Sequence, residues 1–525
     1  MTHDLGGFSI PGSTVTTMLV IFAIYSLVIL GLGVYVKIQS KRNANDSLAS
    51  FLTGGGGLGA FAIAMIAATN SMAGGTMVTA PGLTYAIGFS GALIYYGGFL
   101  TAAYGIGSVG RKTAILRART NAVSYLQLLR LRFQSKGVVG ALAITGALSL
   151  AFVSCGQITS GAKVFAAVTG SNSYYLGLIL VMVITVIYTL TGGVKSLAKV
   201  AVIQGVVMLS ATFSIIGILI FRNVQTYGSV ENAVRYLGTM APETLQASTA
   251  FSPLNAMGTA IFMGIGLCAM PSALSVSMTY DNAHNLKRGV IISCLIFTIV
   301  QGVMCFTGPL VRLVNPDLVT RDYTTIYVAS NLLPSWLGGI IFCGCFAAIQ
   351  SSIAGYCISA ATHLAKDFIV DCCNPKMPEK KQNRITLICV IGIAAVVTIM
   401  SIWPTELTQY MINFAVGSIC ASWYWPALLG LYWKKATRSG MIASAVGGFS
   451  SYIVFYFLSS ILPTTKAWWA ANLGNINAFI PAWLLALVLL VVFSKVKEKS
   501  EKVPLGIFQV FFCDDYDESY AVIEQ

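Results

Sequence analysis

Long apolar segments separated by short polar stretches run along nearly the whole chain. A helix needs about twenty apolar residues to cross the hydrocarbon core of a bilayer. Segments of that length predict thirteen membrane-spanning helices, so we expect an all-α polytopic membrane protein. The predicted spans lie near residues 15–36, 58–81, 85–109, 138–167, 173–191, 197–221, 253–277, 289–311, 337–364, 385–402, 408–432, 441–462 and 475–494.

The composition agrees with this interpretation. Of the 525 residues, 56% are apolar and only 10% are charged, whereas a soluble protein carries about 25% charged residues. These values exclude an ordinary water-soluble enzyme and make the bilayer the solvent for most of the chain.

The positive charges predict the orientation. With the N-terminus placed outside, 26 of the 32 Lys and Arg residues fall in cytoplasmic loops and five in outer loops. Cytoplasmic loops normally carry such an excess. We therefore predict a protein of the plasma (inner) membrane with an outer N-terminus and a cytoplasmic C-terminus. The net charge of +14 then needs no nucleic acid partner. The remaining cation, Lys163, lies inside the fourth span.

The negative charges restrict the ion chemistry. All 18 Asp and Glu residues lie in predicted loops, at span ends or in an acidic tail that we expect to be solvated, and His363 is the only histidine at membrane level. Proton-driven carriers usually keep a titratable group in the membrane. We therefore predict an ion site of backbone carbonyls and neutral hydroxyls, which suit an alkali cation.

Two predicted spans are interrupted by polar or helix-breaking residues. The second contains a polar, glycine-paired stretch at 69–76, and the seventh contains glycines followed by Pro271. Such residues free backbone groups, which membranes tolerate only where protein or a cavity receives them. Glycine and proline can also serve helix packing alone. Two interruptions five spans apart favour an inverted-repeat transporter with a site near the midplane.

The ninth span carries two adjacent hydroxyls, on Ser351 and Ser352. Such hydroxyls commonly bond carbonyls of their own helix. If this helix faces the interruption in the second span, they instead add oxygen ligands to the freed carbonyls.

Several motifs in this order resemble those of the sodium:solute symporters, and within that family those of the sodium/pantothenate symporters. The resemblance runs from about residue 50 to 450, and its most specific parts are residues 110–123, 188–205, 271–289, 347–352 and 426–435.

This resemblance implies a leucine-transporter-like fold with two inverted repeats of five helices. The implied segments are an extra N-terminal helix and loop (1–57), a first repeat (58–221), an outer loop (222–252), a second repeat (253–432), additional helices (433–494) and a cytoplasmic tail (495–525).

The resemblance also implies sodium as the coupling ion. The family's ligands correspond here to carbonyls of Thr69, Met72 and Ala348 and to the hydroxyls of Ser351 and Ser352. The chain departs from the family in two places. Val200-Ala201 replaces a Thr-Asp pair of many relatives, and Ser71 replaces an acid found in some. Because both acids are absent here, weaker coupling to sodium is an alternative for this chain.

Lys163 is a candidate counter-charge for the substrate, because a buried ammonium is costly and no membrane-level acid is evident to pair with it. Its side chain could equally extend to the interface. Polar neighbours expected near the substrate are Asn70, Ser71, Thr76 and Gln157.

Together these features predict a sodium-coupled symporter that imports a small organic anion such as pantothenate by alternating access and functions as a monomer. A symporter for proline, a sugar, sialic acid or a monocarboxylate remains an alternative, as does a transporter-like membrane sensor. An enzyme is not expected, because no carboxylate pair, His/Cys cluster or activated serine lies at membrane depth.

Overall fold

The computed structural model describes residues 3–4, 8–42, 60–92, 95, 109–170, 173–246, 253–264, 266–276, 283–403, 408–501 and 503–513. The described chain is helical almost throughout. Its only strands are β1 (His3–Asp4) and β2 (Ser9–Ile10), a two-residue antiparallel ladder that places His3 opposite Ile10.

In the described part of the N-terminal half, eight helices precede residue 250, with a π-helical turn at Gly75–Thr79 and a 3₁₀ turn at Gly88–Gly91. They are α1 (Gly12–Arg42), α2 (Ala60–Ser71), α3 (Ala80–Ile87), α4 (Gly110–Thr120), α5 (Tyr125–Phe133), α6 (Lys136–Thr169), α7 (Tyr174–Tyr227) and α8 (Val230–Met240).

Eleven α-helices lie in the described residues of the C-terminal half. They are α9 (Pro253–Gly264), α10 (Pro271–Val276), α11 (Ala283–Val314), α12 (Thr324–Tyr327), α13 (Ser335–Ala361), α14 (Glu379–Met400), α15 (Thr408–Tyr432), α16 (Arg438–Tyr456), α17 (Pro463–Leu473), α18 (Phe479–Lys497) and α19 (Leu505–Phe512). Helix α13 continues as a π-helix through Thr362–Cys373.

Ten stretches of the described chain are long and apolar enough to cross a membrane, and they match ten of the thirteen predicted spans. The second and seventh predicted spans are the interrupted ones, which the structure divides into α2 and α3 and into α9 and α10. Most of the third, near 85–109, lies outside the described residues. The prediction of an all-α membrane protein is confirmed.

Helix α7 changes direction within its length, although the chain stays helical from Tyr174 to Tyr227. It contains two predicted spans, Tyr174–Thr191 and Leu197–Tyr227, and a straight helix of 54 residues would measure about 81 Å. Successive residues of α7 contact α1 at points that first advance along it and then return. These contacts join Tyr188 to Gly33, Lys199 to Gln39 and Gln204 to Tyr25. The chain therefore folds back near residue 192, as the two-span prediction requires.

Helix α13 lies at the centre of the bundle and is the most deeply buried of the ten spans. It packs most extensively against α7 and also contacts α1 and α6. The peripheral helices instead expose large apolar side chains, among them Leu27, Ile179 and Ile388. Exposed apolar surface of this extent is typical of contact with lipid. We name the two sides of the bundle outer and cytoplasmic according to the predicted orientation.

The predicted tail is partly ordered. Residues 505–512 form α19, whose Ile507, Val510 and Phe511 are buried. The guanidinium of Arg119 in α4 donates hydrogen bonds to the carbonyls of Val510 and Cys513, at 2.8 and 2.9 Å. The expectation of a solvated tail is therefore wrong for this segment, because its apolar residues are buried. The acidic residues after 513 lie outside the described residues.

Candidate functional site

The interruption in the second span begins where α2 ends. Met72 and Ala73 are not helical, and the chain then resumes as the π-helical turn Gly75–Thr79. The N–H of Gly74 donates a hydrogen bond to Oε1 of Gln157 in α6, at 2.7 Å. A side-chain amide thus receives a backbone group that the break leaves without a helical partner, as a membrane interior requires.

Helix α13 passes directly beside this break. The hydroxyls of Ser351 and Ser352 each lie 3.2 Å from the carbonyl oxygen of Thr69 and 3.0 Å from that of Ala348. The hydroxyl of Thr69 donates to the carbonyl of Met65, at 2.7 Å, so Thr69 contributes its backbone carbonyl to the contact with the serines. Four neutral oxygens from two helices therefore form one cluster, which we call the oxygen cluster.

The structure brings together four of the five residues predicted to bind sodium. The fifth, Met72, is buried at the break, and its N–H donates to the carbonyl of Ala68, at 2.7 Å; no described hydrogen bond joins it to the oxygen cluster. Carbonyl and hydroxyl oxygens are hard ligands, which suit an alkali cation. The described residues contain no group of three or more His, Cys, Asp or Glu that could hold a transition metal.

A cavity opens beside the break. Among the predicted substrate residues, Thr76 and Gln157 line it. The side chains of Asn70 and Ser71 lie outside the described residues. The full lining is Ala73, Gly75, Thr76, Tyr95, Val153, Gln157, Met263, Leu267, Met270, Phe297, Gln301, Tyr356, Ile412 and Val416.

The cavity is apolar with a few neutral polar groups, and no charged residue is among those that line it. The hydroxyl of Thr76 donates to Oε1 of Gln301 in α11, at 2.9 Å. The sequence interpretation missed Gln301, Tyr95 and Tyr356. Gln301 had a usable signal, because a lone amide inside an apolar span is a functional candidate.

Lys163 does not lack an acidic partner. Its Nζ lies 2.7 Å from Oδ2 of Asp322, and the Lys163 and Asp322 side chains are 11% and 0% exposed. The expectation that no acid could pair with Lys163 at membrane level is therefore wrong. Asp322 belongs to the loop after α11, in the 3₁₀ turn Arg321–Tyr323, and this loop folds into the bundle. In this structure the Lys163 ammonium is paired and its side chain is buried rather than extended into solvent.

A buried polar network lies next to the oxygen cluster. The Tyr188 hydroxyl donates to the backbone carbonyl of Gln350, at 2.7 Å, and the Tyr25 hydroxyl lies 3.3 Å from the side-chain oxygen of the same residue. Gln204 in turn donates to the Tyr25 hydroxyl, at 3.2 Å. Since Gln350 directly precedes Ser351, this network joins α1 and α7 to the part of α13 that carries the two serines.

The sequence of this chain is similar to the sequences of known transporters. The chain is 26% identical to the sodium/pantothenate symporter of Haemophilus influenzae, over 92% of this chain and 97% of that protein. It is also 26% identical to the sodium/pantothenate symporter of Escherichia coli K12, over 83% and 89%. Its identity with the osmoregulated proline transporter of Bacillus subtilis is 23%, over 94% and 97%.

Two solved structures share the fold. A Na⁺-coupled sialic acid symporter in a substrate-bound, outward-open state superimposes with a TM-score of 0.70 at 17% identity, covering 92% of this chain and 98% of that one. A nucleobase-cation-symport-1 family transporter in a closed conformation gives 0.53 at 13% identity, covering 87% and 99%. The leucine-transporter-like fold is thereby confirmed. Residues 51–448 match the sodium:solute symporter family. The chain therefore belongs to the sodium:solute symporter family, and sodium is its coupling ion.

Proposed function

We propose that this sodium-coupled symporter imports a small organic anion, pantothenate, by alternating access. The observation that carries the proposal is the oxygen cluster beside a broken helix that also lines a cavity. An ion at Thr69, Ala348, Ser351 and Ser352 would join α2 to α13 and stabilise the break on which the cavity depends. Met72 would supply a fifth ligand from the same break.

The coupling follows from that shared element. Sodium would favour the conformation in which α2 and α13 are held together, and the substrate would bind tightly to the cavity in that conformation. Coupling of this kind is a free energy shared between two sites, so the substrate must raise sodium affinity by the same factor. In this proposal the repeats are residues 58–221 and 253–432, and the N-terminus lies outside.

The cavity chemistry supports pantothenate. Pantothenate carries an amide, two hydroxyls and two geminal methyl groups besides its carboxylate. Gln157, Gln301 and Thr76 offer hydrogen bonds to the amide and hydroxyls, while Met270 and Phe297 offer apolar contact to the methyls. A few placed polar groups in an apolar lining are typical of small-molecule sites. Asn70 and Ser71 complete the proposed set by their position in the sequence.

The test is uptake of radiolabelled pantothenate into proteoliposomes that contain the purified protein, with and without an inward sodium gradient. We expect accumulation that requires the sodium gradient and that excess unlabelled pantothenate suppresses. Proline, a sugar, sialic acid and lactate serve as competitors in parallel. Suppression by one of these instead would assign another solute, and uptake indifferent to sodium would contradict the coupling mechanism.

A further inference from the structure

The segment that carries Asp322, residues 321–325, lies against the broken helix on the outer side, and we call this segment the cover. Its backbone packs against Gly82 so closely that a Cβ on Gly82 would lie 2.7 Å from the carbonyl oxygen of Arg321 and 3.1 Å from Cα of Asp322. Three residues further on, the hydroxyl of Thr325 donates to the carbonyl of Met77, at 2.7 Å. Met77 follows the cavity residue Thr76, so the cover is attached to the broken helix itself.

Asp322 joins this segment to two further helices. Besides the 2.7 Å contact with Lys163 of α6, its Oδ2 accepts a hydrogen bond from Thr408, at the start of α15, at 3.1 Å. Lys163 lies six residues beyond the cavity residue Gln157, about 9 Å nearer the outer end of α6. One carboxylate oxygen therefore connects the cover, α6 and α15 on the outer side of the cavity.

The described partners of Asp322 all contact one oxygen of its carboxylate, Oδ2. Oδ1 is buried and has no hydrogen-bond partner among the described residues. A buried ion pair is stabilising only when its attraction and hydrogen bonds offset the loss of hydration. A carboxylate bonded through one oxygen is thus less compensated than one bonded through both, and exposure to water would restore hydration of the other oxygen.

We propose that Lys163 is an anion-binding position occupied in turn by two carboxylates, that of Asp322 when the cover is closed and that of an entering substrate when it is open. This inference rests on the proposed function, because it requires a substrate with a carboxylate. The exchange keeps the Lys163 ammonium paired at every stage. It also makes closure of the cover depend on the substrate leaving Lys163 and moving into the neutral cavity.

Asp322→Asn tests the exchange, because it removes the competing charge while keeping an oxygen for Lys163 and Thr408. In right-side-out vesicles with a sodium gradient, we expect the half-saturating pantothenate concentration to fall about tenfold. The maximal rate should also fall, since the uncharged amide holds the cover less firmly. An unchanged half-saturating concentration in a variant that still transports would overturn the inference.

Lys163→Gln tests the other partner. Pantothenol, the neutral alcohol analogue, serves as a competitor that lacks the carboxylate. We expect the preference for pantothenate over pantothenol to shrink by about tenfold or more, because the recognising charge is gone. Retention of the full preference would contradict the proposal. Glu243→Gln is the matched control, since it removes the acid of an exposed ion pair with Arg312 and should change neither measurement.

Thr408→Val covers the case in which the charge variants do not fold. It removes one hydroxyl from Asp322 and should lower the half-saturating concentration in the same direction by a smaller factor, whereas no change would count against the exchange. The two proposals fail differently. Absence of sodium-driven pantothenate uptake by the wild-type protein would refute the proposed function. Normal wild-type uptake, with an unchanged half-saturating concentration in Asp322→Asn and an unchanged preference in Lys163→Gln, would refute only the exchange at Lys163.

Discussion

Ser351 and Ser352 make both kinds of contact expected of a hydroxyl in a membrane helix, one within their own helix and one with another helix. Each lies within hydrogen-bonding distance of Ala348 in its own helix, which is the local pattern expected of any helical serine, and of the Thr69 carbonyl on another helix. The local contact is a property of sequence spacing. The contact with the Thr69 carbonyl, which spans 282 and 283 positions of the sequence, is the one that can place these hydroxyls in a binding site.

Replacing both serines by alanine should weaken sodium binding. Loss of two hydroxyl ligands is expected to raise the sodium concentration for half-maximal uptake by roughly tenfold or more, where tenfold corresponds to about 1.4 kcal/mol. The measurement is the sodium dependence of uptake in proteoliposomes. Ser422→Ala is the control, because Ser422 is equally buried and bonds the carbonyl of Ser418 in its own helix. Equal sodium dependence in the double variant and the wild type would refute the site.

The sequence predicted that Lys163 needs a compensating group but not which residue supplies it. Its position inside a span correctly marked a group that needs compensation, because an ammonium at that depth is costly. Its partner could not be inferred, since Asp322 lies 159 positions away in a loop. Nothing in the local sequence of that loop indicates that it folds into the bundle.

At Gly74, the interruption in the second span brings the backbone very close to side chains of two neighbouring helices. A Cβ there would lie 2.8 Å from Cγ1 of Ile349 and 2.9 Å from Oε1 of Gln157. Ile349 belongs to α13 and Gln157 to α6, so the break sits between two helices with no room for a side chain. This is a constraint of helix packing rather than of backbone dihedral angles, because Gly74 has an ordinary right-handed conformation with φ −53° and ψ −27°.

Gly74→Ala should therefore destabilise the protein by about 1–3 kcal/mol through overpacking. It should also reduce the increase in thermal stability that sodium produces, because the break and the oxygen cluster belong to the same segment. Thermal unfolding of purified protein with and without sodium measures both effects. Gly392→Ala in α14 is the control, since a Cβ there meets nothing within 4 Å, and it should be neutral or slightly stabilising. Equal behaviour of the two variants would contradict this account.

The C-terminal helix α19 connects parts of both halves of the chain on the side named cytoplasmic. The ring of Phe512 lies 4.7 Å from Nζ of Lys112, 4.8 Å from the guanidinium carbon of Arg132 and 5.9 Å from Nζ of Lys434. Cations near an aromatic face are attracted by its quadrupole. These three cations also contribute to the positive loops that predicted the orientation, so the same charges bind the tail.

Phe512→Leu should loosen this attachment by about 0.5–2 kcal/mol, because leucine retains apolar contact but has no aromatic face. The measurement is the rate at which a protease added to the cytoplasmic side removes the C-terminal segment. We expect faster cleavage than in the wild type. Leu505→Ala alters a side chain that is 74% exposed and should leave the rate unchanged. A slower or equal rate in Phe512→Leu would show that the cations do not hold the helix.

The class of the protein, most of its spans and the two interruptions follow from the amino-acid sequence alone, because they depend on local properties. Twenty apolar residues must cross a bilayer as a helix whatever surrounds them, and a glycine-paired or proline-containing stretch weakens that helix wherever it lies. The absence of acids within the predicted spans likewise pointed to neutral ion ligands before any contact was known.

Which groups come into contact depends instead on how the helices pack. The pairing of Lys163 with Asp322, the amide of Gln157 at Gly74, the cavity around Gln301 and the attachment of α19 all join residues remote in sequence. Hydrogen bonds and ion pairs act over about 3 Å, so their formation depends on how helices pack and which loops fold inward. Hydrophobic periodicity specifies where the helices are, but it does not specify those distances.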